Sequence, residues 1–257
     1  MPAPENLFKK RLLAGETLIG CWVALGDAYA AELMGTAGFD WLVIDGEHAP
    51  NDIRSIRDQL AALTASTAEP VVRLPVGEPW LIKQALDIGA QTLLIPMVES
   101  AAQARDMVRA CRYPPNGIRG AGAALGRASQ FASIPDYVPT ADAQICLLLQ
   151  VESRAGLDEL DEIAALDGVD GVFIGPSDLS ADMGFGGKPD APEVKAAIAD
   201  AFSRIAAAGK APGCLGMSEE STQRYLDQGA RFLATGSDVG LLAKSARELA
   251  ARWKPKS

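Results

Sequence analysis

Short apolar runs rich in Val, Ile and Leu alternate with segments of helical periodicity along the whole chain. The apolar runs fall at 17–23, 39–44, 70–74, 91–96, 144–152, 171–174, 211–216 and 230–235. Between and after them, at 28–36, 52–63, 80–88, 101–111, 157–165, 192–208, 219–227 and 239–253, apolar positions recur every three or four residues, the spacing of one helix face. A shorter helical piece is expected at 177–182, and Leu7, Phe8, Arg11 and Leu12 predict a short amphipathic helix before the first strand. Strands of nearly unbroken apolar character are those of a parallel sheet buried on both faces. Eight strand–helix units without a linker predict an α/β protein, a single (β/α)8 TIM barrel spanning residues 1–257. A doubly wound open sheet is the alternative.

The rhythm breaks once, in a long irregular excursion over residues 113–143 that opens at Tyr113-Pro-Pro-Asn-Gly117. Connections of that length inside a compact domain are usually functional or interfacial. Within it, Gly120-Ala-Gly122-Ala-Ala-Leu-Gly126 has the wrong spacing for a dinucleotide fingerprint and follows no strand. No organic cofactor is expected.

Composition narrows the partners. The 257 residues are 48% hydrophobic and 22% charged, with a formal net charge of −9. That balance argues against nucleic acid or an anionic membrane as a partner. No window approaches the ~18 apolar residues of a membrane span. Nor does the N-terminus contain a signal-peptide run. Cys21, Cys111, Cys146 and Cys214 share no metal-type spacing, so a reduced, cytoplasmic protein is expected.

In a (β/α)8 barrel the active site lies at the C-terminal strand ends, so the question is what each strand delivers there. Strand two delivers Asp45, Glu47 and His48, the chain's only histidine. Strand three delivers Arg73, strand five Gln150 and Glu152, and strand six Gly175-Pro-Ser177-Asp178. The opposite rim has acids such as Asp40 and Asp170 but no comparable cluster. Two hard carboxylates, Glu152 and Asp178, with no Cys or second His beside them, suit Mg²⁺, Mn²⁺ or Co²⁺ better than structural zinc. His48 is the candidate general base. Arg73 can hold an oxygen that becomes negative during reaction. Backbone N–H groups near Ser177 offer a carboxylate cradle. Lys83, Lys188, Lys195, Lys210 and Lys244 all fall away from C-terminal strand ends, which disfavours a Schiff base.

Taken together, Ile44-Asp-Gly-Glu-His48-Ala-Pro, Val71-Val-Arg73, Gln91-Thr-Leu-Leu-Ile-Pro-Met97, Tyr113-Pro-Pro-Asn-Gly-Ile-Arg-Gly120, Gln150-Val-Glu152 and Phe173-Ile-Gly-Pro-Ser-Asp-Leu-Ser-Ala-Asp-Met183 resemble the HpcH/HpaI aldolase family, in register over nearly the whole chain. Within it the chain is similar to the class II pyruvate, or hydroxy ketoacid, aldolases. The resemblance implies a divalent-metal enzyme that reversibly cleaves 4-hydroxy-2-oxo acids to pyruvate and an aldehyde. By position it implies Glu152 and Asp178 as metal ligands, Gln150 and the backbone of Ser177 and Asp178 as pyruvate contacts, His48 as proton carrier and Arg73 as enolate stabiliser. It also implies that Asp87 raises the basicity of the histidine, a role nothing in the local pattern of Asp87 signals. A homohexamer built as a trimer of dimers, with the last helix exchanged, is implied as well; Leu241, Leu242, Ala246 and Leu249 give that helix an apolar stripe. Trp22, Leu215 and the 113–143 excursion are expected to shape the aldehyde pocket. The rival readings are a citrate-lyase-type lyase acting on CoA thioesters, for which Arg119 and Arg127 are the available cations, and a non-catalytic barrel that binds an oxo acid.

Overall fold

The computed structural model describes residues 1–254. Helix α1 (Leu7–Leu13) precedes strand β1 (Leu18–Val23), and then come α2 (Ala28–Gly35), β2 (Trp41–Asp45), α3 (Ile53–Ala62), β3 (Glu69–Arg73), α4 (Pro79–Asp87), β4 (Thr92–Ile95) and α5 (Ala101–Cys111). After the excursion and its short helix α6 (Tyr137–Ala141) follow β5 (Cys146–Val151), α7 (Arg154–Asp158), α8 (Leu160–Ala164), β6 (Gly171–Ile174), α9 (Pro176–Asp182) and α10 (Pro192–Ala207). The chain then runs through β7 (Ala211–Leu215), α11 (Glu219–Asp227), β8 (Phe232–Ser237) and α12 (Asp238–Trp253). The strands pair in parallel in sequence order, and β8 pairs back onto β1 through Leu18↔Phe232, so the barrel is closed. The alternation of the sequence is therefore a (β/α)8 barrel. One expected helix, 157–165, is two: Glu159, the boundary residue, departs from helical geometry at φ −94° and ψ 3°.

Strand side chains alternate in direction, and the inward and outward sets form separate cores. Leu42, Ile44, Val72, Leu93, Leu149 and Ile174 pack outward against the helices. Leu18, Trp22, Trp41, Val43, Val71, Leu94, Leu148, Phe173 and Phe232 fill the barrel. Gly20 is needed there because a Cβ would collide with the Trp41 ring. The indole Nε1 of Trp41 donates to the Leu18 carbonyl at 3.1 Å, so this buried polar atom is satisfied.

Helix α1 closes the N-terminal end of the barrel. Asn6 caps it by accepting from Lys9 N at 2.9 Å, and its buried face is Phe8 and Leu12. The Phe8 ring lies edge-to-face against Trp41 at 5.9 Å and Phe232 at 6.4 Å. The acids of this rim fasten the helix: Arg11 pairs with Asp40 at 2.8 Å and Lys9 with Asp170 at 3.4 Å.

The 113–143 excursion lies outside the barrel. Gly120 lies against Lys83 of α4, Gly126 against the Asp87 carbonyl, and Ala3 N donates to Thr140 Oγ1 at 2.8 Å. It has its own small core of Ala3, Tyr113, Ala123, Ile134, Tyr137 and Ala141. At the other end of the chain, α12 buries only Asp238. Its Leu241, Leu242, Leu249 and Trp253 are 53%, 59%, 55% and 78% exposed, so the apolar stripe is not covered by its own barrel. Among the described residues no helix is long and apolar enough to cross a membrane.

Candidate active site

The strand register delivers the site. Trp41, Val43 and Asp45 of β2 share one inward row, as do Val71 and Arg73 of β3, and Cys146, Leu148, Gln150 and Glu152 on and just beyond β5. Each row is apolar in the barrel and becomes polar at the C-terminal rim. Asp45 and Arg73 are register partners, which puts a carboxylate and a guanidinium side by side.

Asp45 organises this rim. Its two oxygens accept from Arg73 Nε at 2.9 Å and Nη2 at 2.7 Å, a bidentate, charge-assisted pair. Oδ1 also accepts the backbone N–H groups of Glu47 at 2.9 Å and His48 at 3.3 Å. Burial pushes the Asp45 carboxyl up, but the hydrogen bonds and charge of Arg73 outweigh it and hold the group below its ordinary value. Arg73 Nη1 lies 2.7 Å from Glu47 Oε2, and the guanidinium sits over the Trp22 ring at 5.1 Å. His48 Nε2 is 3.8 Å from Glu47 Oε1 and its side chain is 68% exposed, so the imidazole faces the open mouth.

The carboxylates form the second half of the site. Glu152 is buried, and Gln150 Nε2 donates to its Oε2 while Met97 N donates to Oε1 at 2.9 Å. Gly175 permits this packing, since a Cβ there would collide with Glu152 Oε2. Asp178 stands in the first turn of α9, exposed beside Ser177. Burial raises the Glu152 carboxyl to about 7; the Gln150 and Met97 hydrogen bonds oppose this, and the charges of Asp178 and Glu47 add to it. Glu47 is raised, first by burial, with the charges of Asp45 and Asp178 adding to it against Arg73 and His48. Three carboxylates thus repel one another around one space, with Arg73 and His48 beside Glu47.

These groups fit a divalent cation. Glu152 and Asp178 are hard oxygen donors under mutual repulsion, and the buried Gln150 Oε1 has no hydrogen-bond partner among the described residues. Among the described residues no group of three or more His, Cys, Asp or Glu side chains forms a complete cage. Two carboxylates would leave positions for substrate and water.

His48, Arg73, Gln150, Glu152, Ser177 and Asp178 all stand at the C-terminal strand ends, and Leu215 ends β7 against the inner core. Within one chain, three expected features lie away from the open mouth. Trp22 is only 6% exposed and is held between Arg73 and Phe173 (ring centroids 5.7 Å), so it supports the site from below instead of lining an open pocket. Asp87 ends α4, which runs from the catalytic rim to the opposite one, and its carboxylate binds Arg119 at 2.8 Å; it does not meet His48 within one chain. Most of the 113–143 excursion packs at that opposite rim and along α4, while Ile118 lines a pocket with Pro75, Pro96 and Met97 on the strand-end side. Two residues at the site had no assigned role. Asp45 is marked only by sharing the inward row of Trp41 and Val43. Met97 acts through its backbone and leaves no signal in the sequence.

A closed (β/α)8 barrel with a histidine, a clamped arginine and paired carboxylates at its C-terminal mouth defines an enzyme of the barrel class. The HpcH/HpaI aldolase/citrate lyase family model matches residues 18–245, and the chain belongs to that family of carbon–carbon lyases. It is 63% identical over 254 residues to a hydroxypyruvate/pyruvate aldolase of Roseovarius nubinhibens, covering 99% of each chain. It is 53% identical over 249 residues to the 4-hydroxy-2-oxo-heptane-1,7-dioate aldolase of Escherichia coli, covering 97% of this chain and 95% of the other. The crystal structure of an HpcH/HpaI aldolase/citrate lyase family protein from Burkholderia cenocepacia superposes with a TM-score of 0.93 at 42% identity, covering 96% of this chain and 98% of that one.

Proposed function

We propose that the protein is a class II pyruvate aldolase, which cleaves 4-hydroxy-2-oxo acids to pyruvate and an aldehyde and runs the condensation in reverse. The observation that carries this reading is the pairing of a carboxylate-clamped Arg73 with the Glu152–Asp178 carboxylates in one mouth beside an open His48. The names of the similar aldolases support it.

Glu152 and Asp178 would hold a divalent ion, Mg²⁺, Mn²⁺ or Co²⁺, which when bound supplies a Lewis acid for the keto oxygen of the substrate. The chain's own residues do the rest. A guanidinium has five N–H donors; Arg73 gives two to Asp45, and the rest, on Nη2 and on Nη1 beside Glu47, are left for the enolate oxygen. His48 removes a methyl proton of pyruvate in the synthetic direction and the C4 hydroxyl proton in cleavage. The backbone N–H groups of Ser177 and Asp178 would bind the substrate carboxylate, and Gln150 would orient it. Leu215 would contact the aldehyde portion.

Against the thioester reading, Arg119 is fully buried, and Arg127 reaches Thr64 Oγ1 at 3.0 Å and the Ile88 carbonyl at 3.4 Å on the opposite rim. Neither is free in the mouth to meet a CoA phosphate. The role implied for Asp87 fits only a carboxylate delivered by a neighbouring copy. Such an assembly, a hexamer with α12 exchanged between subunits, is supported by the uncovered stripe of α12. Four buried free cysteines support a reducing, cytoplasmic setting, and one barrel domain is proposed for residues 1–257.

Exchange of pyruvate methyl protons in deuterated water, followed by NMR, tests the reading without a choice of aldehyde. Exchange with Mg²⁺ that stops with EDTA is expected. His48→Ala should slow it about 10²–10⁴-fold while pyruvate affinity changes little. Binding without exchange in the wild type would favour the non-catalytic barrel.

A further inference from the structure

After β4 the chain turns through Pro96, Met97 and Val98, and this turn contacts the end of β5 twice. Pro96 has no N–H, so the first donor after the strand is Met97 N, which reaches Glu152 Oε1 at 2.9 Å. The next, Val98 N, donates to the Gln150 carbonyl at 3.0 Å. Met97 adopts φ +55°, in the left-handed region that residues with a Cβ rarely occupy. The residue is 51% exposed, so tight packing does not account for that conformation. Its N–H does: with Gln150 Nε2 on Oε2 and Met97 N on Oε1, both oxygens of Glu152 are fixed. Strained backbone held at a reactive centre is a recurrent form of pre-organisation.

We infer that Met97 is a positioning residue for Glu152: its left-handed backbone conformation aims one N–H at Oε1 and thereby sets the carboxylate for a divalent cation. The inference rests on the proposed role of Glu152 as a metal ligand. What position 97 requires is tolerance of positive φ, whatever the side chain. Glycine and asparagine tolerate that region, and β-branched residues do not.

Mn²⁺ binding to the metal-free full-length protein, measured by the EPR signal of free Mn²⁺, separates backbone from side chain. Met97→Gly and Met97→Asn should bind within about twofold of wild type, because the hydrogen bond is kept. Met97→Val should bind about tenfold or more weakly, the effect of losing one hydrogen bond to a charged group. Should Met97→Val fail to fold, replacing Met97 with its α-hydroxy acid analogue deletes the N–H alone, and the same loss is expected. Equal weakening by glycine and valine, or unchanged binding in valine and the hydroxy acid analogue, would overturn the inference. Glu152→Gln measured alongside checks the underlying reading: if wild type binds Mn²⁺ no better than Glu152→Gln, the ligand role itself fails, and Met97 with it.

Discussion

Arg73 is the residue on which the site's electrostatics turn, and Asp45 makes it usable. A guanidinium buried to this depth needs compensation, and Asp45 provides it on the face away from the mouth. Removing one partner of a buried pair costs about 3–5 kcal/mol, so Asp45→Ala should lose stability on that scale in urea unfolding. The pH dependence has a definite sign. The Asp45 carboxyl lies below its ordinary value of 3.8 in the folded protein. Its contribution is therefore complete above that value and is lost as pH falls through the lower folded value. Between pH 4 and 2 the wild type should lose more stability than Asp45→Asn, and equal slopes would contradict the assignment. At this scale the sequence was legible wherever a residue's chemistry is carried by its side chain and strand parity. His48, Arg73, Gln150 and Glu152 follow from counting along strands. Met97 and Asp87 do not: one works through a backbone dihedral, and the other lies at the wrong end of its helix for its expected partner.

Among elements, strands and most helices follow from apolar periodicity, because burial on both faces leaves strands little room for polar residues. Helix α12 shows where periodicity stops being informative. Its stripe of Leu241, Leu242 and Leu249 has the spacing of any core-facing helix, yet the barrel leaves it exposed. Amphipathic spacing says that a face will be buried and not by which chain. Leu242→Glu should therefore shift the protein to a smaller species in analytical ultracentrifugation, with the circular dichroism of the barrel retained. An unchanged sedimentation coefficient would mean that α12 is not an assembly contact. The excursion was equally ambiguous: its length announces a functional or interfacial segment, but only the contacts with α4 and the N-terminal residues say where it goes.

For the whole molecule, the closed barrel and its two concentric cores leave no thiol at the surface. Burial raises the Cys21 thiol to about 11 and those of Cys111 and Cys214 to about 12, and it raises Cys146 as well. Thiolate is the reactive form, so a disulfide reagent such as DTNB should find no fast-reacting thiol in the native protein and four in urea. Even one fast native thiol would show that the barrel opens locally. The same enclosure is why the fold was legible from the sequence: eight strands buried on both sides leave eight apolar runs. The mouth is polar, assembled from residues far apart in sequence, and its geometry appears only once the barrel is closed.

The N-terminal helix has a consequence for the order of events on the ribosome. It is made first, but its seat is built from Trp41 of β2 and Phe232 of β8, the latter among the last strand residues to be synthesised. During translation Phe8 has Trp41 to pack against but not Phe232, and the floor of the barrel is not complete until the final strand has emerged. A chain that stops short of β8 therefore leaves its leading helix only partly covered, so that an incomplete product carries its own mark for quality control.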